Sequence, residues 1–149
     1  MNDAVITSKQ KELIQKIVLK HGLDFVVFYG SLARQVHVSR DADIDLGLYR
    51  RGGIDADEYL ALSFELQKVF FGKALDIKLL HDVDPLFRFE VMKNGILIAG
   101  NTEKFQEYYL YAYRDYQEAQ PLYVLMKRMQ EKRQKKLENI YDKQGASAN

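Results

Sequence analysis

The chain has 149 residues, with 22 Lys plus Arg against 21 Asp plus Glu, and no cysteine. That length fits one domain with a real hydrophobic core, and the balanced charge excludes a global electrostatic pull toward nucleic acid or membrane, so any anion binding must be local. The missing cysteine excludes disulfides, thiolate metal sites and cysteine nucleophiles together.

The N-terminus, Met1 to Thr7, has no basic segment leading into a long apolar run, and no apolar stretch approaches membrane-spanning length. A soluble, cytoplasmic protein with no membrane association is expected. Ser8 to His21 places Leu13, Ile14, Ile17 and Val18 at helical spacing, with Gly22 as a stop. Phe25-Val26-Val27-Phe28-Tyr29 reads as a buried strand, which Gly30-Ser31 closes while opening a short helix through Arg34. From Asp43 to Leu48 the chain alternates, so that Asp43 and Asp45 share one face of a strand while Ile44, Leu46 and Leu48 share the other.

After a loop at Tyr49 to Gly53, Asp55 or Asp57 is placed to cap a helix reaching about Phe70. Ala74 to Leu80 is a short strand with Asp76 and Lys78 on one face. Asp84-Pro85 starts a helix that Asn94-Gly95 ends, and Ile96 to Ala99 forms a short last strand. Thr102 to about Tyr141 is helical, with a break predicted at Gln120-Pro121 because proline has no N–H to donate and restricts its predecessor. A single domain over residues 1–144 is expected, with a core of about 23–100, a helical extension of about 102–143 and a disordered tail at 145–149. Strands alternating with helices give an α/β or α+β class and leave the sheet order open.

The chemistry concentrates between Phe25 and Leu48. Asp43 and Asp45 project side by side about 7 Å apart at the backbone, and like charges that close repel. A divalent cation removes the conflict; Mg²⁺ is held by one or two carboxylates while keeping positions open for substrate phosphates. The Gly30-Ser31 step is the complement, a strand running into a helix start that offers backbone N–H groups and a hydroxyl to an anion. Arg34 lies on the same helix face as Ser31 and within reach of phosphate. Lys78, beside Asp76, either neutralises phosphate or pairs with that aspartate. Asp41-Ala42-Asp43 also spells two spaced carboxylates, but the apolar alternation starts only at Ile44.

Gly30-Ser31-Leu32-Ala33-Arg34 followed by Asp43-Ile44-Asp45-Leu46 resembles the nucleotidyltransferases of the DNA polymerase β superfamily, in particular the minimal nucleotidyltransferases. Their motif is Gly-Ser, a spacer, then Asp-x-Asp. Asp84-Pro85-Leu86-Phe87-Arg88-Phe89-Glu90 through Gly95, and the Tyr-rich helix before Pro121, are similar to the minimal nucleotidyltransferase (MNT) antitoxins, so the resemblance extends from roughly Phe25 to Leu125. It implies an α+β polymerase β-like fold: a mixed sheet with helices packed on one face, the catalytic groove on the other, and C-terminal helices. It implies two Mg²⁺ ions bridged by Asp43 and Asp45, with Asp76 completing the one that activates the attacking hydroxyl. It also places ATP against Gly30, Ser31, Arg34 and Lys78. Two departures stand out: Leu32 through Ala42 is one residue longer than the usual spacer, and Gln35 stands where a glycine is usual.

The implied activity is transfer of AMP from ATP to a protein hydroxyl, with a tyrosine of a HEPN-domain ribonuclease toxin as acceptor and this chain as the antitoxin of a type VII-like toxin–antitoxin pair. The alternatives are an antitoxin that neutralises by binding alone and a small-molecule, antibiotic-modifying nucleotidyltransferase. No sequence-specific nucleic-acid binding is expected. His21, His37 and His81 show no metal-ligand spacing. Phe105, Tyr108, Tyr109, Ala112 and Tyr116 follow one helix face and read as core, whereas Tyr111 and Tyr113 fall off it. Lys127 to Lys136 is basic, and reads as a solvated face or a docking surface for a partner.

Overall fold

The computed structural model describes residues 5–34 and 42–147, so Gln35, His37 and Asp41 lie outside the described residues. The chain divides into two compact units, Met1–Tyr113 and Arg114–Asn149. The first contains α1 (Ser8–His21), β1 (Phe25–Tyr29), α2 (Gly30–Arg34), β2 (Ile44–Tyr49), α3 (Ala56–Val69), β3 (Leu75–Leu79), a 3₁₀ turn (Leu80–Asp82), α4 (Pro85–Asn94) and β4 (Ile96–Gly100). A last helix, α5 (Thr102–Ser147), starts in the first unit and makes up the second.

Local chemistry sets the helix ends. Thr7 and Gln10 form a reciprocal capping box at α1, which Gly22 closes in the left-handed conformation. Asp55, not Asp57, caps α3, again with a box through Glu58. Asp84 accepts the Phe87 N–H at the start of α4, with Pro85 in the first turn where its missing N–H costs nothing.

The four strands make one mixed sheet in the order β3-β2-β1-β4. β1 runs antiparallel to β2 and β4, and β2 runs parallel to β3. Side-chain alternation then divides the core. Val26, Phe28, Ile44, Leu46 and Leu48 face one way and pack with Ile14, Ile17, Leu62 and Leu66 from α1 and α3. Phe25, Val27 and Tyr29 face the other way, with Val91 and Met92 of α4 and Tyr108 and Ala112 of α5.

The mixed sheet and the α+β class are those the resemblance implied, with α1 and α3 on one face; α4 and the start of α5 cover the other face as well. The reason lies in β1, whose five residues are all buried and so need apolar cover on either side. The expected break at Gln120-Pro121 is likewise absent, for α5 runs unbroken through Pro121. The helix also continues past Tyr141 and Gly145 to Ser147, into the segment expected to be a disordered tail. A proline removes one intrahelical hydrogen bond, and the helix formers on both sides, among them Glu118, Ala119, Leu122, Leu125 and Met126, sustain the rest.

In the second unit the Tyr116 ring packs on Tyr123 at 6.3 Å. In the first, the expected core face of α5 holds for Tyr108 and Ala112, which are buried, with Phe105 and Tyr109 partly so. Tyr111 receives the Arg88 guanidinium at 5.8 Å, and Tyr113 packs on Phe89 at 5.8 Å. Among the described residues no helix is long and apolar enough to cross a membrane.

Leu46 is fully buried at the centre of the first core. Leu46→Ala should lower the unfolding free energy by about 2–5 kcal/mol, read from urea denaturation. A loss within the error of the measurement would contradict this packing.

Candidate active site

Register brings three polar side chains into one row. Tyr29 of β1 is opposite Asp45 of β2, and Asp45 is opposite Asp76 of β3. Register partners share a face, so Tyr29, Asp45 and Asp76 stand side by side across three strands. Asp43, exposed just ahead of β2, adds a third carboxylate that acts electrostatically on Asp45. The row lies on the face that α4 and α5 cover, but at the opposite end of the β1–β2 pair from Phe25 and Tyr49.

Burial pushes the Asp45 carboxyl above its ordinary range, and the charges of Asp76 and Asp43 push it further, with Lys78 opposing them. Tyr29 is raised by burial first and then by Asp45 and Asp76. Its hydroxyl is buried with no hydrogen-bond partner among the described residues. Lys78 pairs with Asp76 at 3.6 Å, and both side chains are about half exposed.

Gly30 has φ +84°, and a Cβ there would stand 2.0 Å from Asp45 Oδ2. No other residue leaves the carboxylate that space. Ser31 and Arg34 are exposed on α2, which Leu32 anchors into the core. Arg34 and Gly30 line a cleft of about 160 Å³ together with Tyr29, Glu90 and Asn94.

The seven residues expected at the site thus fall into two linked groups: Asp43, Asp45, Asp76 and Lys78 on the strands, and Gly30, Ser31 and Arg34 on the adjoining turn and helix. Among the described residues no three His, Cys, Asp or Glu groups converge into a metal cage. The donor set still fits a hard cation. It consists of carboxylate oxygens, with the charges of Asp76 and Asp43 raising the proton affinity of Asp45 and Gly30 cradling it.

Tyr29, Glu90 and Asn94 were not anticipated from sequence. Tyr29 had a signal, because it directly precedes Gly30 and alternation puts it on the face of Phe25 and Val27. Glu90 and Asn94 had none, since their approach depends on how α4 lies over β1.

The family described as "Polymerase beta, Nucleotidyltransferase" matches residues 11–104. No curated protein matches the chain in sequence. Among solved structures, a toxin–antitoxin with AMP-PNP superposes with a TM-score of 0.65 at 17% identity, covering 80% of this chain and 98% of that one. The toxin–antitoxin MntA-HepT gives 0.63 at 15% identity, with coverages of 83% and 99%. A tri-AMPylated Shewanella oneidensis HEPN toxin in complex with an MNT antitoxin gives 0.61 at 16% identity, with coverages of 81% and 97%. At these identities the likeness establishes a shared fold.

A carboxylate raised by burial and by like charges favours the neutral form, so its ionised form opposes folding at neutral pH. Asp45→Asn should therefore raise the melting temperature by a few degrees in EDTA at pH 7. A lowered melting temperature would show that the Asp45 carboxylate has a stabilising partner instead.

Proposed function

We propose, from the premise that this chain belongs to the polymerase β nucleotidyltransferase family, that it transfers AMP from ATP to a hydroxyl of a partner protein. The partner is a HEPN-domain toxin bound as a hetero-oligomer, a tyrosine is the acceptor, and the chain acts as the antitoxin of a type VII-like pair. The observation that carries the chemistry is the register of Asp45 with Asp76, with Asp43 adjoining and Gly30 pressed against the Asp45 carboxylate. The choice of partner is supported by the shared fold with MNT antitoxins, one of them in complex with an AMP-bearing HEPN toxin.

Asp43, Asp45 and Asp76 would hold two Mg²⁺ ions, which would supply neutralisation of charge on the triphosphate and a more acidic acceptor hydroxyl. Nucleotidyl transfer asks the protein mainly for in-line positioning and electrostatic stabilisation. The Gly30-Ser31 backbone and the Ser31 hydroxyl hold the β- and γ-phosphates, with Arg34 on the same small helix reaching the same anion. Asp76, half exposed, takes the acceptor proton, and Lys78 beside it neutralises charge on the transferring phosphate. The acceptor oxygen forms a bond to the α-phosphorus, the bond from that phosphorus to the bridging oxygen breaks, and pyrophosphate leaves. Tyr29, beside Asp45, packs edge-on with the Phe87 ring at 5.7 Å and so positions the strand end.

Intact mass of the cognate HEPN toxin, co-expressed with the chain, tests this reading. Wild type should add one or more AMP units, and Asp43→Asn with Asp45→Asn should add none. Neutralisation of the toxin by wild type and double variant alike, with no added mass, would establish an antitoxin that works by binding alone.

A further inference from the structure

A groove that the nucleotide chemistry leaves unused follows the free margin of the sheet. Among the described residues β3 is the terminal strand on its side, and one edge of Leu75–Leu79 has no neighbouring strand there. Along this edge lies a groove of about 700 Å³, between the start of α3 and the segment that leads from the 3₁₀ turn into α4. Its floor is apolar, made by Tyr59, Ile77, Leu79, Val83 and Phe87. The Tyr59 hydroxyl donates to the Ile77 carbonyl at 3.1 Å, which occupies a backbone acceptor that a further strand would use.

The rim carries the opposite character. Asp55, Asp82 and Asp84 are all exposed along it. Asp55 and Asp84 each accept one N–H as helix caps, and Asp82 lies 3.6 Å from His81 Nε2 at the surface. Among the described residues that line it, Lys78 is the one cation, at the end where it pairs with Asp76. An apolar floor under three carboxylates repels a nucleic-acid strand and suits an extended peptide, whose alternate side chains point down to the floor and out to the rim. The five residues of β3 span about 17 Å, long enough to seat such a peptide up to the Asp76 end.

We propose that this groove seats the acceptor-bearing segment of the protein substrate: an extended, Lys- or Arg-rich stretch whose hydroxyl residue lies at the Lys78 end, beside Asp76. The inference rests on the protein-acceptor reading above and adds where that segment docks and what charge it carries.

The test is steady-state AMP transfer to the cognate HEPN toxin by the full chain at saturating ATP and Mg²⁺. The triple variant Asp55→Asn, Asp82→Asn, Asp84→Asn removes the rim charge while asparagine preserves both helix caps. It should raise KM for the toxin about tenfold and flatten the dependence of that KM on salt. KM for ATP and the melting temperature should stay at wild-type values, which a merely structural defect would not allow. Asp82→Lys alone should raise the toxin KM in the same direction. Unchanged toxin KM in both variants, with wild type transferring AMP, overturns the groove and leaves the transfer reading standing. A wild type that transfers no AMP to the toxin overturns the transfer reading, and the groove with it.

Discussion

Like-charge repulsion held in place by strand register is the constraint on which this site depends. Antiparallel pairing of β1 with β2 and parallel pairing of β2 with β3 leave Asp45 no freedom to move away from Asp76. With Asp43 at the head of the same strand, three carboxylates share one end of one face. The folded chain carries that cost only because the opposite face of the same strand, Ile44, Leu46 and Leu48, is anchored in the larger core. Each carboxylate is thus held in place by the burial of its apolar neighbours in sequence. A one-residue slip of β2 would turn the carboxylates into the larger core and pull the leucines out of it.

The remaining elements serve that row. Gly30 gives Asp45 the room that a Cβ would take, and the same glycine turns β1 into α2 so that Ser31 and Arg34 stand beside the carboxylates. α4 and the first turns of α5 cover the apolar end of the face, where Phe25, Val27 and Tyr108 meet. Arg88 ties α4 to the 3₁₀ turn through carbonyls of Leu80 and Val83, which fixes the end of the strand that bears Asp76. The near-equal numbers of acidic and basic residues leave the surface without a net field, so that the local charges of this row dominate its surroundings.

Much of the fold was legible because period and punctuation agree. The strands β1, β2 and β3 and the caps at Asp55 and Asp84 follow from alternation and from helix-start chemistry. The proximity of Asp43 and Asp45 follows from a two-residue spacing on a strand. The alignment of Asp76 with Asp45 does not, because strand order and register are properties of pairing and not of either strand alone; the family resemblance was what pointed to Asp76. Cover on both faces was hinted at by the uniformly apolar β1, yet which helix covers which face is a tertiary fact. Pro121 misled because a local rule on one hydrogen bond was given more weight than the helix formers around it. That Gly30 also makes room for the Asp45 carboxylate was not legible, because the approach depends on how β1 and β2 pair.

The proposed chemistry requires that the carboxylate row and the Gly30-Ser31 turn form one metal-dependent nucleotide site. Isothermal titration of the chain alone with a non-hydrolysable ATP analogue, with Mg²⁺ and then with EDTA, measures that directly. Saturable binding that requires Mg²⁺ and disappears in the Asp43→Asn, Asp45→Asn variant is the predicted result. Binding of equal strength in EDTA, or undiminished in that variant, would contradict it.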